Sequence, residues 1–154
     1  MPTRTAYAGR MVASAEVRHD TLRRLKAGTG KLATAAIREL DAEYAWFSEL
    51  PAQERSWVGT VAQAGINSFV QWYASPGQNY RGAVEVFAAA PPELTRSISL
   101  QHTLSIVRTV VKVVEDHSDE FASAGGEQHL REAILRYSLE IAFSAAEVYA
   151  RAAE

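Results

Sequence analysis

Trp46-Phe47-Ser48-Glu49-Leu50-Pro51, Arg55-Ser56-Trp57-Val58, Gln63-Ala64-Gly65-Ile66 and Phe69-Val70-Gln71-Trp72-Tyr73 follow one another in a single stretch that holds all three tryptophans of a 154-residue chain. Tryptophan buries a large area and seeks a partner for its indole N–H, so this stretch is expected to organise the fold. The indoles are either plain core or the wall of a wide apolar cleft open to a ligand or partner. Leu50-Pro51 ends one helix and opens the next, because proline suits a first helical turn. From Ala52 to Tyr73 the positions Trp57, Val58, Val61, Gly65, Ile66, Phe69 and Trp72 wrap more than half the circumference, which predicts the central and most buried helix. Gly59 and Gly65 would each cost about 1 kcal/mol against alanine in a helix interior, so a neighbouring helix is expected to approach closely there.

The same three-to-four-residue spacing recurs on both sides of this segment, and no alternating run is bounded by hairpin turns, so the chain is expected to be an all-α bundle of five or six helices in one domain. A first helix is read over 7–26, broken or bent at Gly28-Thr29-Gly30, and a second over 31–47, although the two can fuse. Ser75 to Asn79 reads as a loop, 81–89 as a shorter helix ended by Pro91-Pro92, and 92–96 as a turn. Ser97 or Ser99 caps the next helix, which carries Leu100, Leu104, Val107, Val111 and Val114 on one stripe and Ile106, Val110 and Val113 on another. Asp116 to Gly126 reads as a helix end and a mobile loop. The last helix, from Glu127 on, aligns Leu130, Ile134, Tyr137, Ile141, Ala145 and Val148.

A length of 154 residues and 47% hydrophobic content fit one soluble domain. Cysteine is absent, which excludes disulfides, thiolate metal sites and a cysteine nucleophile, and is compatible with the cytoplasm. Neither a membrane span nor a secretory signal is read, so no membrane partner is expected. The net charge of −2 is uneven: residues 1–38 hold eight Arg or Lys against Glu16 and Asp20, and the remainder is net −8. Residues 1–8 are read as a flexible basic arm. The basic segment either touches an acidic partner or phosphate, or neutralises the acidic body of the protein itself.

Catalytic signals are weak, and no catalytic residue, metal or cofactor is expected. Gly28-Thr29-Gly30-Lys31 lacks the earlier glycine and the following Ser or Thr of a phosphate loop. The histidines at 19, 102, 117 and 129 never pair at helical spacing, so a metal site would have to be assembled across helices. His102, on an apolar helix, is the one candidate for a haem or metal ligand, against the alternative of a hydrogen-bonded core histidine. No Gly-x-Ser-x-Gly turn occurs. Polar residues on apolar helices, among them Gln63, Asn67, Gln101, Arg108, Tyr137, Ser138 and Glu140, must satisfy one another or wait for a ligand. Arg108 is expected to be buried and paired with Glu140 or Glu115, or to bind an anion beside the tryptophans.

The pattern W-F-x-x-L-P-x-x-x-R-S-W-V-G with Q-A-G-I and F-V-x-W-Y resembles the amino-terminal domain of PucR-type (CdaR-like) transcriptional regulators. That domain is similar to the helical amino-terminal domain of RsbRD-type stress-response proteins. Ser99-Leu100-Gln101-His102-Thr103-Leu104 with Val107-Arg108-Thr109, and Leu130 to Ser138 running into Glu140-Ile141-Ala142-Phe143, extend the resemblance over roughly 20–153 in the family's order. The resemblance implies a non-enzymatic, cytoplasmic regulatory domain that acts by sensing a small-molecule effector, by self-association, or both. It also implies that DNA is bound only through a separate carboxyl-terminal helix-turn-helix domain that this chain lacks. A haem or small-molecule sensor acting alone and a plain dimerisation module are the alternatives. A homodimer is expected, through Val84, Phe87 and the first helix in the last case. The candidate ligand cleft comprises Trp46, Trp57, Gln63, Phe69, Trp72, Gln101, His102, Arg108 and Tyr137.

Overall fold

Heptad-like spacing of Thr21, Leu25, Gly28, Leu32, Ala36 and Leu40 gives the first helix one continuous buried face. The computed structural model describes the backbone of residues 4–75 and 82–153 and the side chains of 15–75 and 85–153. Its elements are α1 (Arg4–Glu43), α2 (Ala45–Ser48), α3 (Ala52–Ala74), α4 (Gly82–Ala88), α5 (Leu94–Ser97), α6 (Leu100–Asp116), α7 (Ser118–Phe121) and α8 (Glu127–Ala152). The protein is an all-α bundle, with no strand among the described residues. Four long helices build it. α3 packs against α1, α4, α6 and α8, and α1 and α8 close the bundle through α6 and α7. The helix starts at Arg4, and the part of the expected arm before it lies outside the described residues.

The expected break at Gly28-Thr29-Gly30 is absent, and α1 runs straight through it. Gly28 is instead a packing position: a Cβ there would overlap the ring of Phe121, which is 5% exposed. The partner comes from the segment expected to be a helix end and a mobile loop. Residues 116–126 hold α7 and a seam of buried Phe121, Ala122 and Ser123, because the Ser123 N–H donates to Thr21 Oγ1 at 3.1 Å while Thr21 Oγ1 donates to the Val17 carbonyl at 2.9 Å. Gly125 closes the seam at φ +86, a conformation that side chains rarely adopt. Conversely, the close approach expected at Gly59 and Gly65 is not found. Nothing lies within 4 Å of a Cβ at Gly59, and only Val86 Cγ1, at 3.8 Å, faces one at Gly65.

Helix ends follow the sequence chemistry. α1 stops where Tyr44 turns extended (φ −120, ψ 113), and Ser48 Oγ holds the corner by donating to the Asp41 carbonyl at 2.8 Å. Pro51 precedes α3, and Ser99 rather than Ser97 caps α6, accepting from the His102 N–H at 3.1 Å. α8 buries Leu130, Ile134, Tyr137, Ile141 and Ala145 as expected, and Ala133 besides, with Val148 half-buried. Three cations of the basic stretch are paired within the protein: Arg23 and Arg24 with Asp20, and Lys31 with Glu120 of α7, whereas the side chains of Arg4 and Arg10 lie outside the described residues. These pairs lie at the surface, where solvent screening leaves them little net effect on stability.

The candidate apolar cavity and its surroundings

The cavity follows from what the four packed helices bring together. α3 contributes Val61, Ala62, Gly65, Ile66 and Phe69; α4 contributes Val86 and Phe87; α6 contributes Ile106, Val107, Val110, Val111 and Val114; α8 contributes Ile134, Tyr137, Ser138 and Ile141. Space remains between them because Gly65 has no side chain to fill it. The cavity measures about 70 Å³. An engineered apolar cavity that binds benzene is about 150 Å³, so a ring enters here only if a wall moves. Val107, Val110 and Val111 are half-buried and form the wall nearest the surface. Polar atoms are few. Tyr137 and Ser138 supply the hydroxyls of the lining, and the Tyr137 hydroxyl is held by Ser68 Oγ of α3 in a short hydrogen bond.

Of the nine residues expected to form a cleft, only Phe69 and Tyr137 line this cavity. Their rings lie 5.6 Å apart, and Trp72 packs on both, stacked 6.3 Å from Phe69 and tilted 5.6 Å from Tyr137. Trp46 lies elsewhere, stacked on the His102 imidazole with ring centres 3.9 Å apart and planes 3° from parallel. His102 is thus half-buried and held flat against an indole. Trp57 is also only half-buried, so the three indoles do not form one centre. The reason is geometric: Trp57 and Trp72 are fifteen residues apart, about 22 Å along one helix, and Trp46 lies before the Pro51 break. Gln63 Nε2 donates to Asn67 Oδ1 at 3.1 Å on the same helix. Gln101 and Arg108 are exposed.

Arg108 therefore has neither the burial nor the internal partner expected of it. Among the described residues it forms no ion pair. It stands on α6 between exposed Leu104 and Lys112, on the side turned away from buried Thr103, Ile106 and Thr109. Phe87, expected to be exposed on a dimer face, is buried instead. Phe87 is 6% exposed and lines the cavity, and the Val84 side chain lies outside the described residues.

A second, wider cleft of about 360 Å³ lies on the surface between α1, α3 and α8, lined by Arg18, Trp72, Tyr73, His129, Glu132, Ala133 and Arg136. Arg18 spans it, donating to the Tyr73 carbonyl at 2.8 Å with its guanidinium 5.6 Å from the Tyr73 ring centre. Burial pushes the Tyr73 phenol above its ordinary range, against the opposing effects of Thr21 and Arg18. Sequence reading identified only Trp72 of this group, since nothing local relates Arg18 to residues more than fifty positions away. At the far end of the bundle Tyr149 ties α8 to α6. Its hydroxyl donates to the Ile98 carbonyl at 2.5 Å and accepts from Thr103 Oγ1 at 2.6 Å, and burial raises its pKa.

Among the described residues no three metal-ligating side chains of the His, Cys, Asp and Glu type gather, and no helix is long and apolar enough to cross a membrane. No family model matches the chain. Uncharacterized proteins of Mycobacterium tuberculosis and Mycobacterium bovis are 35% identical to it over 139 residues, covering 86% of this chain and 32% of theirs. The chain spans about a third of the length of the curated relatives it matches, and is similar, over most of its own length, to one segment of longer mycobacterial proteins.

Proposed function

We propose that the chain is a non-enzymatic regulatory domain of a PucR-like transcriptional regulator, acting in the cytoplasm by sensing a small apolar effector and by self-association. One observation carries this reading: the three sequence blocks that resemble the family, 46–73, 99–109 and 130–143, supply most of the wall of one apolar cavity. Such a lining suits recognition by shape rather than bond-making chemistry, because nearly every surrounding group is aliphatic or aromatic. DNA contact would belong to another part of a longer protein, a reading supported by relatives about three times the length of the matched segment. An effector that fills the cavity stabilises the packed arrangement of α3, α4, α6 and α8 by mass action.

Benzene and a series of small aliphatic alcohols serve as probes in a thermal-unfolding titration. At about a hundredfold excess over its dissociation constant, a specific binder adds roughly 2.7 kcal/mol and raises the melting temperature by several degrees. The rise must saturate and must disappear in Ala62→Phe, which fills the cavity from α3. Unchanged melting with every probe up to its solubility would remove ligand sensing at this cavity from the reading.

A further inference from the structure

α8 is apolar on two opposite sides. Leu130, Ile134, Tyr137 and Ile141 face the core, whereas Leu135, Leu139 and Phe143 recur at four-residue spacing on the far side, 54%, 60% and 69% exposed. A helix that turns an apolar stripe to each side has a use for two partners, and the bundle supplies one. The outer stripe continues as exposed Ala146 and Ala150, small enough for a second helix to approach. Its flank carries charge in a set order. Arg136 and Glu140 are both exposed and lie on the same side of the stripe, the cation toward the start of α8 and the anion toward its end.

From this arrangement, we infer that the outer face of α8 is a self-association surface whose occupant is α8 of a second copy, lying antiparallel and centred on Leu139. The inference rests on the self-association half of the function proposed above. Antiparallel packing sets Leu139 against Leu139 of the second copy and Leu135 against its Phe143. It also brings each Arg136 opposite the other copy's Glu140, so the pair is made twice by symmetry. In a parallel, in-register pair the flank bearing Arg136 and Glu140 would face the opposite flank of the second copy, so neither charge would meet its complement there. The charge order thus selects both the partner and its direction. With three large side chains per copy the surface is small, so the dimer is expected to be reversible rather than obligate.

The absence of cysteine from the chain makes the register directly testable. Leu139→Cys places one thiol on the two-fold axis, where Cα atoms of crossing helices come within disulfide reach, and mild oxidation is expected to give a covalent dimer. Leu135→Cys and Phe143→Cys each form no disulfide-linked dimer on oxidation, because their copies are displaced by about 12 Å along the antiparallel helices. Mixed together, these two variants cross-link. In light scattering and sedimentation the unmodified chain is expected to show concentration-dependent dimers. Leu139→Glu shifts the midpoint at least tenfold toward monomer without lowering the melting temperature, since the residue is exposed. Arg136→Glu weakens the dimer, and added Glu140→Arg restores it. Cross-linking of all three single cysteines would overturn the antiparallel register. A dimer indifferent to Leu139→Glu would overturn the surface but leave self-association standing elsewhere. A monomer at every concentration would overturn both.

Discussion

The seam between α1 and α7 and the cavity among α3, α4, α6 and α8 are built around glycines that serve opposite ends. At Gly28 the missing side chain is occupied space, since the Phe121 ring lies where a Cβ would be. At Gly65 it is empty space, with Val86 Cγ1 at 3.8 Å and an apolar void of about 70 Å³ beside it. Helix propensity penalises both positions equally, by about 1 kcal/mol, so composition alone cannot tell them apart. The close-packed seam transmits any change in volume to its neighbours, whereas the void can absorb one.

Removing the ring that fills the seam should produce the largest effect. Phe121→Ala is expected to lower stability by about 3–5 kcal/mol in urea unfolding. In the otherwise unchanged chain Gly28→Ala should itself cost about 1–3 kcal/mol through overlap with the ring. In the Phe121→Ala background the same substitution should become neutral or stabilising, because the clash is gone and the propensity gain remains. Additive effects of the two substitutions would break the account of Gly28 as a packing position.

The hydroxyl that anchors the other end of α8 comes next in size. Tyr149→Phe leaves the Ile98 carbonyl and Thr103 Oγ1 without their common partner and is expected to cost about 1–2 kcal/mol. Burial raises the Tyr149 pKa in the folded state, so its contribution is fully present below the unfolded phenol value of about 10 and is lost as the pH rises through the higher folded value. The unmodified protein should therefore lose stability on the alkaline side, and Tyr149→Phe should lose less of it. Tyr73, also raised by burial, keeps part of the alkaline loss in the variant. Identical alkaline profiles would show that Tyr149 does not titrate in this range.

Helix faces were readable in the sequence wherever one periodic stripe meets one core. The inner residues of α8, the Pro51 boundary and the Ser99 cap all follow from local spacing and capping chemistry. What local chemistry hides is which element lies opposite. Gly28-Thr29-Gly30 resembles a break because the Phe121 ring that occupies the gap is ninety-three residues away. The end of 116–126 resembles a mobile loop because its burial depends on Thr21 and Val17 of α1. Arg108 looked buried from its apolar neighbours in sequence, yet helix geometry turns it to solvent on the side it shares with Leu104 and Lys112. The expected cleft failed in the same way: aromatic residues close in sequence lie on different turns, and Phe69 and Tyr137 meet only through the packing of α3 on α8.

The smallest expected effect addresses the void itself and is a gain. In Gly65→Ala the new methyl meets Val86 at ordinary van der Waals distance and points into space that the packing leaves empty. Better helix propensity alone should stabilise the chain by about 1 kcal/mol, and partial filling should add to it. Gly59→Ala, where no atom lies within 4 Å, provides the propensity term without the filling, so the difference between the two variants isolates the cavity. If Gly65→Ala exceeds Gly59→Ala in stability while losing its response to benzene, the void is both unfilled in the folded protein and the place where the probe binds. Equal gains with an unchanged benzene response would put the probe elsewhere and separate the void from sensing altogether.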